Sequence, residues 1–250
     1  MKLPRWFHRF GSPPYIYSLA GLLGPWVGGI AVVLMVAGAF GGLVLAPPDY
    51  LQGDSFRIIY IHVPSAYVSM MAYVILAVAA GIGFIWRLKL AHAVAVSAAP
   101  IGASFTFLAL VTGAIWGKPT WGTFWQWTDP RIMFELVLLF LYLGYMALRA
   151  AFEDREKADR VSAILGVVGV VNVPIIHYSV IWWNTLHQGP TISRLDGPTI
   201  TPDMLVPLLL MIAGFTFCFA WLLLSRLQGE IVEREHATRW LRELLQESPG

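Results

Sequence analysis

One segment, residues 116–131 (WGKPTWGTFWQWTDPR), concentrates the side chains best suited to bind a flat ligand. It holds four Trp and one Phe, together with two Gly and two Pro. So short a segment cannot bury these rings in a core of its own. A large exposed aromatic surface normally contacts a partner, a ligand or a membrane.

Two histidines could add metal-binding chemistry to this surface. His62 lies in the sequence YIHVPS, at the predicted start of a hydrophobic span, and His187 follows another span in the sequence WWNTLHQG. Haem iron needs only one or two axial protein ligands, because the porphyrin supplies the other four. Zinc would need a third and a fourth ligand, and no cluster in the sequence offers them. A lone interfacial histidine is often only an amphipathic side chain, so ligation and this alternative both stay open here.

His177 lies inside the span that precedes His187, at a distance of ten residues. Ten residues give about 15 Å of helical rise, so both imidazoles could not easily bind one iron from the same side. Ionisable groups within a span usually face the bundle interior. We predict that His177, with Trp182 and Trp183, forms a second layer around the ligand, and a satisfied core histidine is the alternative.

The tryptophan-rich segment itself has two interpretations. Membrane proteins place aromatic belts at the interface, which explains isolated Trp residues better than this cluster. Trp121, Phe124 and Trp125 have the spacing i, i+3, i+4, which predicts one face of a short interfacial helix. Asp129 then either caps the following helix or orients a partner.

The elements that must position these residues are membrane spans. The chain of 250 residues is 57% hydrophobic and 13% charged, with a mean hydropathy of +0.65, which is too apolar for a soluble domain. The expected fold is an all-α polytopic membrane protein forming one domain over 1–250, with a charged tail at 226–250. A helix needs about 20 apolar residues to span a bilayer. The charge-poor runs predict six such helices, near 26–46, 61–86, 95–116, 132–149, 162–183 and 204–225.

Basic residues predict how these spans are oriented. Thirteen of the 17 Lys and Arg fall in the termini and in the second and fourth loops, and four fall in the remaining loops. Positive residues accumulate in the cytoplasm, so both termini are expected there. The tryptophan-rich segment is then expected on the opposite, outer side of the membrane.

Missing motifs narrow the function further. The chain has no Cys-x-x-Cys-His and only one cysteine, Cys218, so it is expected neither to attach haem as a c-type cytochrome nor to form an internal disulfide. It has no phosphate-binding G-x-x-x-x-G-K-[ST], so any ATP hydrolysis is expected in another subunit. We therefore expect a binding protein and not an enzyme.

Three motifs together resemble a known family. The pattern Trp-Gly-Lys-Pro-x-Trp-Gly-x-x-Trp-x-Trp…Asp in 116–129, and the sequences YIHVP at 60–64 and WWNTLHQG at 182–189, are similar to the tryptophan-rich haem-handling family of cytochrome c biogenesis, in particular its CcmC branch in bacterial system I. In the family an Asp usually follows the last Trp directly, whereas Thr128 intervenes here. Phe124 stands where the family commonly has Trp.

The resemblance implies roles that composition alone does not. It implies that His62 and His187 are axial ligands of non-covalently bound haem b, held at the outer face of the bacterial inner membrane. It further implies as partners a periplasmic haem chaperone (CcmE-like), ABC transporter subunits (CcmA- and CcmB-like) and a small single-span subunit (CcmD-like). By the same resemblance, the platform for haem and chaperone consists of Trp116, Gly117, Trp121, Gly122, Trp125, Trp127 and Asp129.

Two other functions compete with haem presentation. A b-type cytochrome that moves electrons would bury haem between helices with two histidines deep in the spans, and only His177 is placed for that. A permease for haem would need a polar path through the spans, which the sequence almost lacks.

Overall fold

A computed structural model describes residues 11–183, 185–187 and 199–247. Its α-helices are α1 (Pro13–Phe40), α2 (Ile59–Trp86), α3 (Lys89–Trp121), α4 (Pro130–Ala150), α5 (Arg155–Gly169), α6 (Asn172–Trp182), α7 (Pro202–Glu235) and α8 (Arg239–Glu247). A short π-helix (Gly41–Leu45) extends α1, and a short 3-10 helix (Asp54–Ile58) leads into α2. Four of the basic residues used to predict orientation, Lys2, Arg5, Arg9 and Arg194, lie outside the described residues.

Six stretches are long and apolar enough to cross a membrane. They are Pro13–Leu45, Asp54–Trp86, Lys89–Trp121, Pro130–Ala150, Arg155–Trp182 and Pro202–Glu235. The predicted class, an all-α polytopic membrane protein with six spans, is confirmed. Several helices extend beyond the predicted spans, because a helix can continue past the bilayer and the apolar pattern marks only the part within it.

Local sequence signals set several helix ends. Asp129 caps α4, accepting a hydrogen bond from the Ile132 amide at 3.1 Å, as one of the two sequence interpretations expected. Asp154 caps α5 in the same way, through the Lys157 amide at 2.7 Å. Such caps satisfy amides that have no partner within the helix.

The predicted interfacial helix with Trp121, Phe124 and Trp125 on one face is wrong. Instead α3 continues to Trp121 and ends at Gly122, whose φ is 79°. A left-handed residue terminates an α-helix, and glycine adopts that conformation without a steric penalty. Residues 123–129 then lie outside any helix, with a turn only at 127–128, so Trp121 and Trp125 are not related by helical spacing.

The fifth span consists of two helices, α5 and α6, and not the single helix predicted at 162–183. Pro174 explains the break at Val170 and Val171, since proline lacks the N–H that would bond the Val170 carbonyl. The Asn172 side chain, at the start of α6, donates a hydrogen bond to the Phe134 carbonyl at 2.9 Å. This contact fixes α6 against α4.

Close helix packing depends on small residues, as is usual in membranes. The helices α2 and α3 pack along each other, and α1 packs along α7. A Cβ added to Gly102 would lie 2.1 Å from the Tyr142 hydroxyl, and one added to Gly42 would lie 2.5 Å from the Tyr60 ring. The glycines at these contacts therefore allow large aromatic side chains to be buried between helices.

The two ends of the bundle differ in chemistry. We call the end where α2 begins, α3 ends and α4 begins the tryptophan end, and the opposite end the arginine end. At the arginine end, Asp159 pairs with Arg149 at 2.6 Å and with Arg234 at 2.7 Å, and Arg234 also pairs with Glu230. These buried pairs join α4 and α5 to the extension of α7 beyond the predicted span, while Leu227 on the same extension is buried.

Candidate functional site

The tryptophan end contains a cleft between α2, α3, α4, the segment 122–129 and the segment 185–187. About 430 Å³ of space in and at the mouth of this cleft is not filled by protein atoms, a figure that includes open solvent. Its lining consists of His62, Ala66, Ala109, Leu110, Gly113, Ala114, Trp121, Phe124, Trp125, Arg131, Ile132, Glu135 and His187. The two histidines singled out from the sequence thus face one cleft.

His62 is oriented by α3. Its Nδ1 lies 3.0 Å from the Ala109 carbonyl oxygen and 3.1 Å from the Thr112 hydroxyl oxygen. A carbonyl can only accept a hydrogen bond, so Nδ1 bears the proton and the neutral ring keeps its lone pair on Nε2. The Trp116 ring contacts the His62 ring edge-on, with centroids 5.6 Å apart, and Trp116 is itself held by Gln52, to which its indole N–H donates at 2.7 Å.

His187 is oriented by a carboxylate. Its Nδ1 lies 3.3 Å from the Asp129 Oδ1. The other Asp129 oxygen accepts hydrogen bonds from the Thr185 hydroxyl at 2.5 Å and the Leu186 amide at 2.8 Å. Asp129 therefore links the start of α4 to the segment that bears His187, although the two are 58 residues apart in sequence.

The charge of Asp129 is stabilised by these donors. Burial alone would raise the pKa of this carboxyl, but the hydrogen bonds from His187, Thr185 and Leu186 lower it well below its ordinary value of 3.8. The side chain is only 1% exposed. A buried carboxylate that stays ionised keeps the proton of His187 on Nδ1, which leaves Nε2 with a lone pair here too.

The donor set suits a metal that brings most of its own ligands. Within the described residues no group of three or more His, Cys, Asp or Glu side chains could hold a bare metal ion. Two imidazoles with their Nδ1 atoms engaged, in contrast, match the usual arrangement of metal-ligating histidines, whose second nitrogen donates to a carbonyl or a carboxylate. This donor set therefore suits a metalloporphyrin better than an isolated ion.

The tryptophans take different places around the cleft. Trp121 contacts the His187 ring, with centroids 4.9 Å apart, and Trp125 lines the cleft. Trp127 contacts Trp125 at 5.6 Å but is 69% exposed. Gly117 is buried, and a Cβ there would lie 3.0 Å from the Thr123 carbonyl and from the Trp121 ring, so it allows the segment to fold back onto α3.

The three residues predicted to form a second layer around the ligand lie on or directly after α6. His177 is exposed on α6, where its ring contacts Tyr178. Trp182 stacks on Tyr178 at 5.3 Å, and Trp183 packs against Phe134 at 5.9 Å. None of the three lines the cleft.

Sequence reasoning missed two charged residues that line the cleft, Arg131 and Glu135. Glu135 is buried, and the Ser69 hydroxyl donates to its Oε1 at 2.8 Å. The signal was present: Glu135 is the acidic residue inside the fourth span, and an ionisable residue inside a span marks a functional site by default.

Comparison with known proteins decides the family. The family model described as "CcmC: Heme exporter protein C" matches residues 6–242. The chain belongs to the CcmC family. "Heme exporter protein C" of Haemophilus influenzae is 48% identical over 242 residues, covering 97% of this chain and 98% of that protein. The protein of the same name from Escherichia coli K12 is 50% identical over 238 residues, covering 95% and 96%.

The similarity extends beyond bacteria. A "Putative cytochrome c biosynthesis ccmC-like mitochondrial protein" of Marchantia polymorpha is 43% identical over 173 residues, covering 69% of this chain and 72% of that protein. The resemblance that the three sequence motifs indicated is thus confirmed for the CcmC family.

Proposed function

We propose that this protein binds haem in the cleft between His62 and His187 and presents it, at the outer face of the inner membrane, to a periplasmic haem chaperone for c-type cytochrome biogenesis. The observation that supports this most is the pair of imidazoles facing one cleft, each with Nδ1 bound to an acceptor. Membership of a family described as heme exporter protein C gives haem as the ligand class. Haem is in this account a cargo, non-covalently bound as haem b.

Each residue of the cleft has a physical task in this proposal. The Nε2 atoms of His62 and His187 supply axial nitrogens to the iron, and Ala109 and Asp129 hold the two rings in the required tautomer. Trp121 and Trp125 offer ring faces to the porphyrin, a contact worth about 1–3 kcal/mol by analogy with base stacking. The ring of Trp127 is exposed, and its proposed task is to contact the acceptor.

Partners and orientation form part of the same proposal. The excess of Lys and Arg in the termini and in the second and fourth loops supports cytoplasmic termini, with the tryptophan end outside. The sequence has no nucleotide-binding motif, which supports ATP hydrolysis by CcmA- and CcmB-like subunits of an ABC complex. A CcmD-like single-span subunit completes the proposed assembly.

The alternative of an electron-transferring b-type cytochrome gains no support. It requires histidines facing one another within the bundle, and His177 is exposed on α6. His92 lies near the arginine end, where it packs against Gly83.

The proposal is tested by transfer of haem to the chaperone in membranes that contain the whole complex. Trp127→Ala should lower the amount of haem-loaded chaperone while membrane abundance stays unchanged, because this exposed ring is proposed to contact the acceptor. Trp26→Ala is the matched control: Trp26 is 73% exposed on α1, compared with 69% for Trp127. Equal loading by both variants would contradict presentation at Trp127, and reduced abundance of the Trp127 variant alone would favour an aromatic belt.

A further inference from the structure

We propose that the Arg131 guanidinium and the Trp125 indole N–H form a carboxylate subsite that binds a propionate of the haem. The inference rests on the proposed function, since it assigns one part of the cargo to one corner of the same cleft. It also determines which porphyrin edge faces α4 and which edge is left for the acceptor.

Arg131 is a cation in the cleft without a hydrogen-bonded acceptor. It lines the cleft near the first turn of α4. Asp129 and Glu135 lie close enough to attract its charge, but within the part of the chain that the structure describes its guanidinium makes no hydrogen bond or ion pair. A guanidinium has five N–H donors in a planar fork that matches a carboxylate. The cation is therefore available to an anionic group of a ligand.

The two neighbouring carboxylates already have donors of their own. Asp129 accepts from Ile132, Thr185 and Leu186 and lies beside His187. Glu135 accepts from the Ser69 hydroxyl. Each acid therefore has a donor other than Arg131, and within the described residues neither forms an ion pair with it.

Trp125 supplies the second observation. Its Nε1 atom is buried and has no hydrogen-bond partner in the described structure, while the residue lines the same cleft as Arg131. An indole N–H can only donate, and leaving a buried donor unpaired is costly. The group that completes this N–H must therefore be an acceptor.

A haem propionate satisfies both residues at once. It is an acceptor with a full negative charge, and hydrogen bonds between ionised partners are about twice as strong as neutral ones. Haem has both propionates on one edge, so holding that edge beside Arg131 turns the opposite edge away from α4. The two histidines would bind the iron, and Arg131 and Trp125 would bind the propionate edge. Together these contacts would fix the haem in one orientation.

The test compares haemin with haemin dimethyl ester, in which both propionates are uncharged, as ligands of the purified full-length protein. The wild-type protein should bind haemin at least tenfold more tightly than the ester, which corresponds to about 1.4 kcal/mol. Arg131→Gln and Trp125→Phe should each reduce this ratio several-fold, because Phe keeps a ring but has no N–H. Arg131→Lys should retain part of the ratio, since it keeps the charge without the fork.

Controls separate a specific subsite from general effects. Lys118→Gln removes an exposed cation of the same segment, and Trp26→Phe removes an exposed indole N–H from α1; both should keep the wild-type ratio. The ratio is measured within each variant, so partial unfolding lowers binding of both ligands together. If the wild type binds haemin and the ester equally, or if Arg131→Gln and Trp125→Phe keep the wild-type ratio, the subsite is refuted while haem binding stands. If the wild type binds neither ligand, the proposed function itself fails.

Discussion

The carboxylate of Asp129 makes a sharp prediction, because its geometry fixes the tautomer of His187. One Asp129 oxygen faces the Ile132 amide and His187 Nδ1, and the other accepts from Thr185 and Leu186. An asparagine at this position has the same shape but only one acceptor oxygen. If that oxygen stays with Thr185 and Leu186, the amide group faces His187 and donates to Nδ1. The His187 proton then moves to Nε2, the atom proposed to bind iron.

The expected size of the effect follows from these contacts. Substitutions in groups that orient a metal-binding histidine typically cost about 10–100-fold in affinity, or about 1.4–2.7 kcal/mol. We expect Asp129→Asn to weaken haemin binding within this range. In that orientation the amide group also faces the Ile132 N–H, from which it cannot accept, so the helix cap should be lost at a cost of about 1 kcal/mol of stability. Asp129→Ala should be less stable still, because it also leaves the Thr185 hydroxyl and the Leu186 amide without this acceptor.

The assay is a haemin titration of the purified protein, followed by the Soret band, with thermal unfolding measured in parallel. Asp203→Asn is the matched control, because Asp203 is an exposed acid in the first turn of α7. Unchanged haemin affinity of Asp129→Asn, or an equal loss in Asp203→Asn, would refute the orienting role.

The same residue predicts a pH dependence. The pKa of Asp129 is lower in the folded protein than its ordinary value of 3.8, because hydrogen bonds to His187, Thr185 and Leu186 outweigh burial. A group with a lowered pKa contributes stability that is fully present above the unfolded value and is lost as the pH falls through the folded value. The stability difference between wild type and Asp129→Asn should therefore be constant from neutral pH down to about pH 5 and shrink below about pH 4.

Two further predictions follow from packing at the two ends of the bundle. Gly113→Ala should weaken haemin binding, since the added Cβ would lie 2.9 Å from His62 Cε1. Gly29→Ala is the control and should bind haemin normally, because nothing lies within 4 Å of its added Cβ. Equal binding by the two variants would contradict the assigned position of His62. Asp159→Asn should lower stability by about 1–3 kcal/mol, because Arg149 and Arg234 each lose one charged acceptor and keep only Glu230. Haemin affinity in the folded fraction should stay unchanged. A wild-type thermal unfolding curve would show that the pairs with Asp159 do not hold the arginine end together.

Much of this architecture could be predicted because each signal is local. A charge-poor run of about 20 residues predicts a span wherever it occurs, and the capping role of Asp129 follows from its place before Pro130 and an apolar run. The motifs around His62 and His187 likewise marked residues that the fold brings to one cleft.

The predictions that did not hold depend on long-range packing. The spacing of Trp121, Phe124 and Trp125 suits a helix, but α3 ends at the left-handed Gly122 and separates them. His177 was expected to face the bundle interior, because ionisable residues within spans usually do, but it is exposed. The contact between α6 and α4 determines which side of α6 is buried. Periodicity within one segment does not contain that information.

The most direct test of the account is the absorption spectrum of the purified protein with haemin, compared with that of the double variant His62→Ala/His187→Ala. The wild type should show the sharp, shifted Soret band of low-spin ferric haem with two nitrogen ligands. Each single variant should weaken haem retention, the double variant should lose the band, and His236→Ala, an exposed histidine at the arginine end, should match the wild type. A double variant that retains haem with an unchanged Soret band would contradict the assignment of the two ligands.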